Sequence, residues 1–93
     1  MGESQLQTAV LNYLNSLPEC IAENVSGGAT QSGRADINAC YKGRCLKIEL
    51  KDPHTGYKPT QQQLHYLDKW NAAGAITAVC YGLNDVKNLL EEI

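Results

Sequence analysis

The sequence has 93 residues, with eight Lys/Arg against ten Asp/Glu, a formal net charge of −2 and 43% hydrophobic residues. No apolar run reaches the 18 or so residues that a membrane-spanning helix needs, and the opening Met-Gly-Glu-Ser-Gln-Leu has no signal-peptide character, so one cytoplasmic domain over residues 1–93 is expected. Cys20, Cys40, Cys45 and Cys80 show no CxxC spacing, which argues against structural zinc and, in a reducing compartment, for free thiols.

In chain order, residues 3–17 read as an amphipathic helix with Leu6, Val10, Tyr13, Leu14 and Leu17 on one stripe, ended by Pro18. Residues 20–25 are a strand candidate, and residues 26–35 form a Gly/Ser-rich loop that leads to Asp36. Residues 36–41 and 44–51 alternate as strands. A loop over 52–59 follows, and Thr60 then caps a helix running to about Ala73, with Leu64, Leu67 and Trp70 expected inside. Gly74 is its natural stop. Residues 76–81 read as a buried strand, and Asn84 or Asp85 caps a last helix carrying Val86, Leu89, Leu90 and Ile93. The order is αβββαβα, an α/β pattern.

The chemistry is concentrated in the 36–51 hairpin. Lys42-Gly43 reads as a two-residue turn, which sets the register: Tyr41 opposes Arg44, Cys40 Cys45, Ala39 Leu46, Asn38 Lys47, Ile37 Ile48 and Asp36 Glu49. Opposed residues share a face with Cβ atoms about 5 Å apart, and Lys51 joins them because strand side chains repeat every two residues. One face then carries Asp36, Asn38, Lys47, Glu49 and Lys51. The other carries Ile37, Ala39, Tyr41, Leu46, Ile48 and Leu50 and needs a helix to cover it. A solvated charged face is the plain reading of such a hairpin. Directly opposed Asp and Glu repel each other, however, and a bound cation accounts for them better than solvent does. Two carboxylates and an amine together suit hydrolysis of a phosphodiester.

The charge distribution agrees. Six of the eight Lys/Arg (Arg34, Lys42, Arg44, Lys47, Lys51 and Lys58) fall between positions 34 and 58, opposed there by Asp36, Glu49 and Asp52. The centre of the chain is therefore locally basic, as phosphate binding requires. His54 and His65 are isolated and share no metal-ligand spacing, and Tyr57 and Tyr66 suit either base stacking or packing.

Gly33-Arg34-Ala35-Asp36, then Ile48-Glu49-Leu50-Lys51, then Thr60-Gln61-Gln62-Gln63 opening a helix that stops at Gly74, together resemble the VRR-NUC family of virus-type replication-repair nucleases, within the PD-(D/E)xK superfamily. Ala35 departs from the proline that this family often has before the Asp. The resemblance covers nearly the whole chain and implies a restriction-endonuclease-like αβββαβα core, a mixed central sheet flanked by helices.

It further implies that Asp36, Glu49 and the Leu50 backbone carbonyl bind Mg²⁺ or Mn²⁺, and that Lys51 positions water and stabilises charge on phosphate oxygens. Glu3 and Gln63 would be further catalytic residues from the flanking helices. The plainer roles are a helix-dipole contact for Glu3 and a Thr60–Gln63 capping box. Arg34, Lys47 and Lys58 are candidate DNA contacts. Stand-alone nucleases of this kind resemble Holliday-junction resolvases, which implies a homodimer cutting branched or four-way DNA in a bacterial or phage-infected cell. The alternatives are a nuclease acting on linear or flap DNA and a non-catalytic DNA-binding accessory module.

Overall fold

A computed structural model describes residues 3–25, 35–54 and 58–93, with Glu3 described in its backbone alone. Of the expected loop over 26–35, residues 26–34, with Gly33 and Arg34, lie outside the described residues, as does Tyr57. The elements run α1 (Glu3–Asn15), β1 (Cys20–Asn24), β2 (Ile37–Tyr41), β3 (Arg44–Leu50), α2 (Gln61–Ala72), β4 (Ile76–Cys80) and α3 (Leu83–Glu91), in the expected αβββαβα order.

The four strands form one mixed sheet in the order β1-β2-β3-β4. The first three are antiparallel neighbours, and β4 runs parallel to β3 after the α2 crossover. The hairpin register is the one read from the sequence, from Tyr41 opposite Arg44 to Ile37 opposite Ile48. Its turn has positive φ at both central residues, 51° at Lys42 and 80° at Gly43, a geometry that matches the twist of the strands it joins.

Leu6, Val10 and Leu14 of α1 and Val86 and Leu90 of α3 pack with Ile37, Ala39, Leu46, Ile48 and Leu50, so these two helices cover the apolar face of the hairpin. Truncating a fully buried side chain such as Leu14 to Ala costs about 2–5 kcal/mol. The last residue of α1 fastens the helix to the sheet edge: Asn15 Oδ1 accepts from the Ala22 amide (2.9 Å), and its Nδ2 donates to the Ala22 carbonyl (3.1 Å). This occupies backbone groups that an edge strand otherwise leaves open.

Four expectations change. The hairpin's charged face is covered as well: β3 lies centrally, and Lys47 and Glu49 are buried beside Leu46, Ile48 and Leu50. In α2 only Leu67 is buried, while Leu64 and Trp70 are exposed, Trp70 with a ring face against the Lys47 ammonium. β4, an edge strand, is buried only at Cys80. Finally, Gly82 stands at the N-cap of α3 rather than Asn84 or Asp85, and Asp85 Oδ2 accepts from the Tyr81 amide (2.8 Å), acting one turn later than an N-cap. No helix among the described residues is long and apolar enough to cross a membrane.

Candidate active site

β2 begins at Ile37, so Asp36 stands one residue before the strand, where its side chain can turn toward the end of β3. Two backbone bonds hold it there. The Asp36 carbonyl accepts from the Val25 amide (2.9 Å), and Asp36 Oδ2 accepts from the Leu50 amide (2.8 Å). The side chain thus replaces a ladder partner beyond the end of β2. A strand residue presents its N–H and C=O toward the same neighbour, so the Leu50 carbonyl faces this edge too.

Glu49, 1% exposed, interacts electrostatically with the Asp36 side chain, and Lys51 Nζ lies 3.4 Å from Glu49 Oε2. Burial pushes the Asp36 carboxyl above the usual carboxylate range, against the opposing pull of the Leu50 amide, the Lys51 charge, Glu49 and Gln7. The Lys51 side chain is 13% exposed, which leaves its ammonium within reach of a ligand at the surface. Its backbone is fixed by donation from the Lys51 amide to the Cys80 carbonyl (3.0 Å).

Gln7, which the sequence reading passed over, reaches Asp36 from α1 and also accepts from Asn24 Nδ2 at its Oε1 (3.2 Å). The signal was present: Gln7 lies one helical turn after Glu3, so both residues sit on the same side of α1. The backbone of Glu3 opens α1, and its side chain lies outside the described residues.

Three other expected residues have partners or positions of their own. Gln63 forms the capping box, its Oε1 accepting from the Thr60 amide (2.9 Å) and its amide donating to Thr60 Oγ1 (3.1 Å). Lys47, expected at phosphate, is 6% exposed, donates to Asn38 Oδ1 (2.6 Å) and lies 3.9 Å from the centroid of the Trp70 ring. Its charge is therefore taken up inside the protein by an amide oxygen and an aromatic face. Lys58 is exposed just before α2.

The site offers oxygen donors, the chemistry that a hard divalent cation prefers. No group of three or more His, Cys, Asp or Glu able to hold a metal converges among the described residues. A cation here would take the two carboxylates and the Leu50 carbonyl and keep several waters, a pattern that Mg²⁺ accepts and a dedicated Ca²⁺ cage does not.

No family model and no curated protein matches the chain. Two solved structures do. One, a VRR_NUC domain, superposes with a TM-score of 0.76 at 23% identity, covering 96% of this chain and 94% of its own. The other, a VRR_NUC domain protein, gives 0.76 at 19% identity, covering 98% and 86%. Over nearly its whole length, this chain has the VRR-NUC fold.

Proposed function

We propose that the chain is a metal-dependent DNA endonuclease that hydrolyses phosphodiester bonds with Asp36, Glu49 and Lys51. The observation that carries this reading is the meeting of two carboxylates and an ammonium at the end of the β2–β3 ladder. The shared fold with VRR-NUC domains supports it.

Asp36, Glu49 and the Leu50 carbonyl would hold Mg²⁺ or Mn²⁺. Such an ion supplies positive charge against the phosphodiester and lowers the pKa of water. The protein's part is to preorganise its groups. The Leu50 amide and Gln7 orient Asp36 before any ligand arrives, and burial keeps Glu49 away from competing water. Lys51 balances Glu49 and offers its ammonium to charge developing on the phosphate oxygens. Arg34 and Lys58 are the proposed backbone contacts to DNA.

The proposed substrate is branched DNA, a four-way junction above all, cut by a homodimer. A small domain has little surface with which to grip a duplex, and two copies related by a two-fold axis match the symmetry of a junction. The proposed setting is the cytoplasm of a bacterial or phage-infected cell.

The test is cleavage of a labelled four-way junction beside a linear duplex of the same sequence, in Mg²⁺, Mn²⁺ or EDTA. Paired nicks confined to the junction and abolished by EDTA are expected. Equal cutting of the linear duplex would remove the junction preference, and no cutting of either substrate in any metal would leave a binding module.

A further inference from the structure

The sheet carries a second reactive group away from the carboxylates. Cys40 on β2 and Cys45 on β3 are free, exposed and directly opposed. The turn beside them decides what kind of pair they form. Positive φ at both Lys42 and Gly43 marks a type I′ hairpin, whose flanking residues, Tyr41 and Arg44, exchange the backbone hydrogen bonds that close it. Hydrogen-bonded and non-hydrogen-bonded pairs alternate along an antiparallel ladder. Cys40 and Cys45 are therefore a non-hydrogen-bonded pair, the closer kind, with Cα atoms about 4.5 Å apart. A disulfide spans that separation, and both Cβ atoms leave the same face of the sheet.

The other two cysteines do not compete. Cys80 is buried, and burial, aided by the Asp85 charge, pushes its thiol up to about 12, which keeps it neutral and unreactive. Cys20 opposes Tyr41, so it leaves the sheet on the face away from Cys40 and could not bridge to it without backbone movement. Both exposed thiols line surface hollows. Cys40 lines one of about 340 Å³ with Ile21, Glu23, Asn38 and Lys47, and Cys45 lines one of about 260 Å³ with Arg44 and Trp70.

We propose that Cys40 and Cys45 are a reversible dithiol site, which a small-molecule disulfide such as oxidised glutathione converts to a cross-strand disulfide. The thiolate of one cysteine attacks a sulfur of the reagent, whose S–S bond breaks to release one glutathione thiolate and leave a mixed disulfide. The opposed cysteine, as thiolate, attacks the protein sulfur of that mixed disulfide and expels the second glutathione. Two electrons pass from the dithiol to the reagent, and the two protons lost by the cysteines end on the two glutathione thiols. The inference is independent of the nuclease reading.

The test treats the folded, full-length chain with oxidised glutathione, quenches by alkylation and counts thiols after denaturation. Two of the four thiols disappear, the mass falls by two hydrogens, no covalent dimer forms, and excess dithiothreitol restores all four. Lys42 and Arg44 lie between the two cysteines, so trypsin separates them, and the non-reducing digest contains the two peptides joined. Cys40→Ser and Cys45→Ser, both at exposed positions, keep the fold and each stop at a lasting glutathione adduct. Stable adducts on both cysteines of the unaltered chain, a bridge through Cys20, or disulfide-linked dimers would each overturn the proposal.

Discussion

Asp36 Oδ2 accepts the Leu50 amide hydrogen at 2.8 Å, one residue past Glu49, and so ties a carboxylate that precedes β2 to the end of β3. The bond completes the ladder and sets a carboxylate beside Glu49. Structure and the proposed chemistry therefore make opposite demands on Asp36: folding favours its neutral form, and the proposed cation binding needs its charge.

That conflict gives a pH-dependent prediction. Because burial raises the Asp36 pKa in the folded state, its neutral form is the better accommodated. Its contribution to stability is full below the unfolded carboxylate value and is lost as pH rises through the folded one. In EDTA, Asp36→Asn, which keeps an acceptor for the Leu50 amide, melts above wild type at pH 7–8, and the gap closes toward pH ~4. A variant melting below wild type at neutral pH would contradict this account. Asp36→Ala instead strands the Leu50 amide and costs about 1–3 kcal/mol in denaturant titrations.

Gln7 acts on the site through Asp36. Gln7→Ala keeps the fold and raises the Mn²⁺ concentration for half-maximal cleavage about tenfold or more, in line with other groups that orient a ligand. An unchanged metal titration would reduce Gln7 to a structural contact with Asn24.

Gln63 separates differently. With its side chain engaged at Thr60, Gln63→Ala costs about 1 kcal/mol in stability and leaves the single-turnover rate at the wild-type level once folding is ensured. A large fall in rate without a fall in stability would mean that Gln63 serves the catalytic site besides capping α2.

Lys47 tests the boundary between packing and binding. A lysine on a DNA phosphate adds about one to the slope of log affinity against log salt. Lys47→Met leaves that slope unchanged, because the ammonium is held by Asn38 and Trp70. Trp70→Ala removes the aromatic cover and destabilises the chain by about 2 kcal/mol.

The hairpin was legible in the sequence because local rules determine it. A two-residue turn with Gly43 sets the register, and the register sets which residues oppose each other. The capping box at Thr60 and the stop at Gly74 are equally local. Burial of the second face was not legible. A period of two says which residues share a face, but not whether a distant helix covers it, so Lys47 read as a surface cation and Trp70 as core. The convergence of Asp36, Glu49 and Lys51 at the candidate site was legible, because the hairpin controls their spacing. Gln7 depends on how α1 lies against the β2–β3 end, a tertiary fact that helix periodicity does not contain.

The most direct test of the central claim is the single-turnover rate of four-way-junction cleavage in Mn²⁺ for wild type and Glu49→Gln. The substitution preserves shape and removes the charge from the buried position. A folded variant is expected whose rate falls by at least ~10²-fold. A folded Glu49→Gln chain cutting at the wild-type rate would mean that Asp36, Glu49 and Lys51 are not the reacting centre.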